Sequence, residues 1–299
     1  MNLTDISKEN QFADPKSYKI PSSRSALKSL NLSAFLNVSQ IPAEIQNPDP
    51  QLVSEYAVEI SNNLKIQENS YQISHEYMKL QPDINLKHRA VLIDWIISAH
   101  KHFKLLTETL FLTVYLIDRY LEKRAVTRQQ LQLVGVTALF VSAKYEEIYP
   151  PEVKDFVNIT DRAYTKDQVV KMEREMLTTL EFNITFPSAW RFFERFSLIT
   201  SLNPQGQSVG QYVLELALVE YHMLKYKASL KAASAAYLGH KIFNRDYVWS
   251  TEGFSEAEIK ECAKDLLILF QAASKHPLSA VREKFSRPQY HDVSNLRLS

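Results

Sequence analysis

The sequence predicts an all-α protein in which two five-helix domains follow one another, preceded by an N-terminal helix and a disordered tail. Three observations predict it. Apolar residues recur at helical spacing from Gln51 onward, alternation of the strand kind is hard to find, and a stretch rich in small residues occurs twice. Gly135–Lys144 aligns with Ala232–Lys241, 97 residues further on. Ala, Gly and Ser let neighbouring helices approach closely, so this repeated helix should run through the middle of each domain with partners on all sides.

Residues 1–50 are rich in Ser, Asn, Gln and Pro and end on Asn47-Pro48-Asp49-Pro50, which stops any helix; the segment reads as disordered. Residues 51–85 form a helix and lead-in. The first domain, 86–186, shows Leu110, Val114, Ile117 and Leu121 on one stripe, and Leu131, Val134, Ala138, Val141 and Tyr145 on another. Breaks fall at Thr107, at Tyr149-Pro150-Pro151 and at Thr165-Lys166-Asp167-Gln168, a capping-box pattern, and five helices are expected between Leu86 and Leu180. Phe186-Pro187 opens the second domain, 187–286, with helices expected near 188–199, 208–225, 228–244, 255–274 and a short one after Pro277. Residues 287–299 read as a C-terminal tail.

Composition excludes several classes. The chain has 299 residues, enough for two cores, but only 5 glycines, none placed to wrap a phosphate. Lys+Arg 35 against Asp+Glu 34 gives a net charge of +1, so no global field draws the chain onto nucleic acid or a membrane surface. A lone Cys262 forms no intrachain disulfide and no Cys/His spacing suggests zinc, which fits a reducing, intracellular setting. Met1–Asn10 lacks the apolar core of a signal peptide, and runs such as Leu266–Phe270 fall far short of a membrane span. Asp118, Glu146-Glu147 and His240 are scattered without a nucleophile and base at a telling spacing, so no enzyme, cofactor or metal is expected. His240, on an apolar helix, reads as a satisfied interior histidine.

Lys87–Trp95 (KHRAVLIDW) resembles the opening of a cyclin box. Tyr77–Ile84, Leu131–Ala138, Lys144–Pro151 and Phe156–Asp161 follow the same family's order, and their wording is similar to mitotic cyclins, the B type more than the A type. The resemblance is strong over about 55–186 and mainly architectural to about 285. It implies two tandem cyclin boxes and a non-catalytic subunit that binds and activates a cyclin-dependent kinase. Arg89, Asp118, Leu133, Lys144 and Glu173 occupy characteristic box positions. Arg89 and Asp118 lie in otherwise apolar helices, where a bidentate pair is tolerable and an unpaired charge is not; the family gives them a structural role. For Lys144 and Glu173 a solvated face is the plain reading of the residues, whereas the family places both against the kinase backbone, flanked here by Ile60, Tyr145, Leu177 and Phe182.

Val91, Leu92, Trp95, Leu131 and Gln132 resemble the patch by which cyclins dock Arg-x-Leu substrates and inhibitors; buried core is the rival reading for Leu92. His88 stands where methionine is usual and Ser98 where an acidic residue often receives arginine, so an altered or weakened docking preference is expected. In the tail, Lys8-Glu9-Asn10 is a KEN sequence and Arg24-Ser-Ala-Leu27 resembles a destruction box, which implies an anaphase-promoting ubiquitin ligase as a partner and removal in mitosis. None of the 12 prolines follows Ser or Thr, so feedback phosphorylation by a proline-directed kinase is not expected. The implied location is nucleus and cytoplasm, with nuclear entry dependent on the partner. Transcription factors with paired cyclin folds, and a scaffold outside the cell cycle, are the alternatives; the former would need a basic face.

Overall fold

The computed structural model describes residues 56–249 and 253–296. The expected tail, with Lys8, Glu9, Asn10, Arg24 and Leu27, lies outside the described residues. Among those described, eleven α-helices and several short 3-10 turns occur and no strand. A lead-in helix α1 (Ala57–Gln67) precedes a first box of α2 (Leu86–Phe103), α3 (Thr107–Lys123), α4 (Arg128–Glu146), α5 (Val153–Ile159) and α6 (Lys166–Thr179). The second box comprises α7 (Ala189–Ile199), α8 (Pro204–Val219), α9 (Ala228–Phe243), α10 (Glu256–Ala272) and α11 (Ala280–Phe285). Two sets of five helices are therefore present, as the periodicity predicts.

Local chemistry sets most of the boundaries. Thr165 accepts from Gln168 N at 3.3 Å while Gln168 Oε1 accepts from Thr165 N at 2.8 Å, the predicted capping box. Ser255 and Glu258 do the same for α10. One boundary differs from expectation: the helix expected over 208–225 begins at Pro204 and stops at Val219. Asn203 Oδ1 accepts from Gly206 N at 2.7 Å and Pro204 needs no amide at the first helical position, so the start moves upstream. Glu220 is extended, and the chain continues as a 3-10 turn, Tyr221–Lys225.

The small-residue repeat does what its composition implies. In α4 every residue from Leu133 to Ala143 is buried, and in α9 every residue from Ala232 to Gly239. A methyl group on Gly239 would stand 2.6 Å from the Gly206 carbonyl oxygen, so α8 and α9 cross at backbone contact. On Gly135 it would meet Leu92 Cδ1 at 2.7 Å. The α2 residues Ile93, Ile96 and Ile97 are wholly inaccessible, each burial contributing about 1.5–3 kcal/mol.

The boxes meet along a mixed seam. Tyr115 stacks on Phe186, the last residue of the first box, at 4.0 Å; across the seam Ser188 Oγ donates to Glu108 at 2.8 Å and Asp94 Oδ1 accepts from Ala280 N at 3.0 Å. Beyond 286, in the stretch expected as a tail, most described residues are exposed and a few reach back onto the second box. Val293 is 1% exposed, Tyr290 lies 4.5 Å from the Phe285 ring, and His291 Nδ1 shares a hydrogen bond with Ser208. No described helix is long and apolar enough to cross a membrane.

Candidate functional site

Three groups of residues named from the sequence occupy three places. The first is a buried clamp. Arg89 Nε and Nη2 donate to Asp118 Oδ1 and Oδ2 at 2.6 and 2.7 Å, with both side chains at most 2% exposed. Tyr77 Oη donates to Asp118 Oδ1 at 2.6 Å; burial and the adjoining carboxylate push this phenol far above its usual pKa. The remaining terminal nitrogen of Arg89 donates to Leu218 O and Val219 O at 3.1 and 3.2 Å. These are orphan carbonyls at the C-terminal end of α8, where the backbone dipole also favours a cation. The predicted structural pair thus joins the two boxes.

The second place is an exposed face of the first box. Lys144, in the last turn of α4, makes an ion pair with Glu173 of α6, and its amine lies 4.5 Å from the Phe140 ring centre. The lysine side chain is 43% exposed and the glutamate side chain 13%, so the pair bridges α4 and α6 with its cationic end outward. Tyr145 is about half exposed, Leu177 half-buried, and Leu133 buried beneath the same helices. Tyr145 Oη shares a hydrogen bond with Thr185 Oγ1, which ties α4 to the segment after α6. Phe182 is 70% exposed with φ +57°, directly after Glu181 at φ +55°. Left-handed backbone costs about 1–2 kcal/mol at such residues, so an aromatic ring is held out to solvent against both backbone and hydration preference. Ile60 is exposed on α1, which connects to this region through Tyr71 Oη donating to Asn183 Oδ1 at 3.3 Å.

Sequence reading missed neighbours of this face. Ile148 and Tyr149 are 87% and 91% exposed. Glu147 turns the other way and accepts from Leu106 N at 2.8 Å and Thr109 Oγ1 at 2.5 Å, capping α3 from a distance of about 40 residues in sequence. No signal local to Thr107 gives this away.

The third place is a groove of about 480 Å³ between α2 and α4, lined by all five predicted docking residues. Val91 is half exposed and Trp95 half-buried, whereas Leu92 and Leu131 are 5% and 6% exposed. Leu92 is core, against Gly135, and at the same time lines the floor of the groove. His88 Nδ1 accepts from Asn85 N at 3.2 Å and Asn85 Oδ1 accepts from His88 N, so the residue that departs from the family closes the α2 capping box. Ser98 Oγ donates to the Asp94 carbonyl at 3.3 Å and brings no carboxylate. His240, expected as a satisfied interior histidine, is bonded to Thr200 Oγ1 at 3.0 Å and stacked on Tyr247 but is only half-buried.

Two similar helical boxes joined by a buried arginine, with exposed aromatic residues on the first box and a groove between α2 and α4, define a tandem helical-box protein. Residues 59–185 match the family model "Cyclin, N-terminal domain" and residues 187–299 the model "Cyclin, C-terminal domain". Cyclin-B2-1 of Oryza sativa subsp. japonica is 41% identical over 243 residues, covering 80% of this chain and 58% of that protein. The G2/mitotic-specific cyclin-B of Hydra vulgaris is 39% identical over 251 residues, covering 82% and 69%. A viral cyclin from herpesvirus saimiri has the same fold, with TM-score 0.58 at 17% identity over 78% of this chain and 96% of that one. The chain belongs to the cyclin family, and these cellular relatives are B-type cyclins by name. It spans less than two thirds of the rice relative's length.

Proposed function

We propose that this chain binds and activates a cyclin-dependent Ser/Thr protein kinase at the G2-to-mitosis transition. The observation that carries the proposal is the Lys144–Glu173 pair between α4 and α6, on a box that also leaves the rings of Tyr145 and Phe182 exposed. Exposed aromatics around a pre-formed polar pair supply the apolar area and the orienting hydrogen bonds that a protein interface needs. Packing this face, with Ile60 and Leu177, against the kinase's mobile helix favours the placement in which the catalytic Lys–Glu ion pair forms. The chain adds binding energy and no reacting group. The names of its relatives support the mitotic assignment.

Removal by an anaphase-promoting ubiquitin ligase through Lys8-Glu9-Asn10 and Arg24/Leu27, and residence in both nucleus and cytoplasm, belong to the same proposal. The test is to mix the protein with a monomeric cyclin-dependent kinase and measure histone phosphorylation. The expected result is strong activation, lost in Lys144→Ala with Glu173→Ala; absence of activation by the wild type would refute the assignment. Replacing Lys8–Asn10 and Arg24/Leu27 should lengthen the half-life in mitotic extract, and an unchanged half-life removes the degrons from the proposal.

A further inference from the structure

The internal repeat sets Lys231 opposite Val134, 97 residues earlier, and Val134 is wholly inaccessible in the first box. A lysine therefore stands in α9 at a position whose counterpart in α4 is core. Charge in such a slot is costly without a partner, and departures of this kind concentrate where a site is built. Lys231 is half-buried and lines a cavity of about 100 Å³ between the boxes. Its side-chain amine makes no hydrogen bond or ion pair among the described residues. Both acids in the lining are engaged elsewhere. Asp118 accepts from Arg89 on both oxygens and from Tyr77, while Glu68 accepts from Ser229 Oγ at 2.7 Å and Ser229 N at 3.1 Å. Lys227 gives its amine to Asn69 Oδ1, a neutral acceptor, at 2.7 Å. Arg89, Lys227 and Lys231 against Asp118 and Glu68 leave one positive charge over in the lining.

The other walls are mostly apolar, with Phe111, Val114 and Leu214 each at most 3% exposed. Apolar walls around one unpaired cation match a ligand with an apolar body and a single negative charge. A phosphate, with more oxygens to satisfy, matches them poorly. Size narrows the choice: an apolar cavity of about 150 Å³ takes benzene, so this one takes a compact acid of about four or five carbons. We infer that the seam cavity binds a small aliphatic monocarboxylate, its carboxylate on the Lys231 amine and its alkyl group against Phe111, Val114 and Leu214. Burial lowers the pKa of the amine, and an opposite charge beside it restores the charged form. A ligand seated there touches both boxes and the lead-in to the first, so occupancy stabilises their packing. The inference stands apart from the kinase assignment, which uses none of these residues.

The probe is isobutyrate, with isobutyramide as its uncharged isostere and acetate as an acid of the same charge without the alkyl body. In thermal melts of the whole chain at pH 7 and matched ionic strength, isobutyrate should raise Tm by about 5 °C when it exceeds its Kd a hundredfold. Isobutyramide and acetate at the same concentration should leave the midpoint nearly unchanged. Lys231→Met keeps an unbranched apolar side chain in place of the amine and should abolish the isobutyrate response. Saturation-transfer NMR should show the isobutyrate methyl signal with wild type and lose it with that variant. The comparison of acid with amide is made on wild type, so it decides the matter even if the variant does not fold. No shift with isobutyrate, or an equal shift with the amide or with acetate, overturns the inference, as does a response that survives in Lys231→Met.

Discussion

Arg89 and Val219, 130 residues apart, are joined at 3.2 Å by a guanidinium that also holds Asp118 with two further hydrogen bonds. One side chain therefore satisfies a buried carboxylate in the first box and the frayed end of a helix in the second. Breaking such a pair leaves an uncompensated buried charge, at a cost of about 3–5 kcal/mol. Arg89→Leu should lower stability by that amount in urea denaturation, and Leu should do worse than the double variant Arg89→Leu with Asp118→Leu. A double variant as unstable as the single one would show that the pair's charge balance is not what matters.

Removing the Lys144–Glu173 pair should separate stability from function. It is partly exposed, so its contribution to folding is about 0.2–1 kcal/mol, and Lys144→Ala should shift the urea midpoint little. Kinase affinity, measured by titration calorimetry, should fall at least tenfold. A large loss of stability would place the pair in the fold rather than at the interface.

Glu108 sits at the seam, accepting from Ser188, with Arg191 on one side and Glu146 and Glu194 nearby; burial pushes its pKa up to about 7. Because the folded value lies above the unfolded one, the protonated acid stabilises the fold fully below about pH 4.5, and that contribution is lost as pH rises through 7. Glu108→Gln keeps an acceptor for Ser188 and should be more stable than wild type above pH 7, by on the order of 3 kcal/mol at most, with the difference shrinking toward pH 5. Thermal melts across pH 5–8 check it, and a constant difference would refute it.

Lys231 lines a cavity of about 100 Å³ between the boxes, and its side-chain amine makes no hydrogen bond or ion pair among the described residues; burial lowers its pKa. The unfolded chain then binds more protons between the lowered value and the ordinary 10.5, so wild-type stability climbs with pH across that window. Lys231→Met should stabilise at pH 7 by about 1–3 kcal/mol, and the advantage should fade near pH 10. A destabilised variant would show that the amine has a partner.

Gly239→Ala adds a helix-favouring residue, yet its methyl meets the Gly206 carbonyl at 2.6 Å. Backbone cannot step aside as a side chain does, so overpacking by about 1–3 kcal/mol should outweigh the gain of about 1 kcal/mol in propensity. Gly135→Ala, which meets the Leu92 side chain rather than backbone, should cost less. Equal midpoints for the two in urea would contradict this.

The fold was legible in the letters where the physics is local. Thr165 and Gln168 announce a helix start, the Ala-rich repeat announces two central helices, and charges inside the apolar α2 and α3 announce the Arg89–Asp118 pair. What stayed hidden is long-range. That Arg89 also binds α8, that Glu147 caps α3, and that Glu215 pairs with Lys284 inside the second box at 2.5 Å all require knowing which helices are neighbours. The early start of α8 was readable, since Asn203-Pro204 is a cap followed by a first-turn proline. Leu92 could not be assigned from sequence to core or groove because it is both.

The residue that fixes the seam and the residues that line the groove share one helix: Arg89 lies on α2 between His88 and Val91. If the docking expected from the sequence takes place in this groove, the wall is anchored at its base to both boxes before a peptide arrives. Preorganisation of this kind leaves the conformational entropy of binding to the ligand alone, so peptides stiffened into the extended form should gain affinity, while mutations that loosen the anchor should weaken docking without touching the groove.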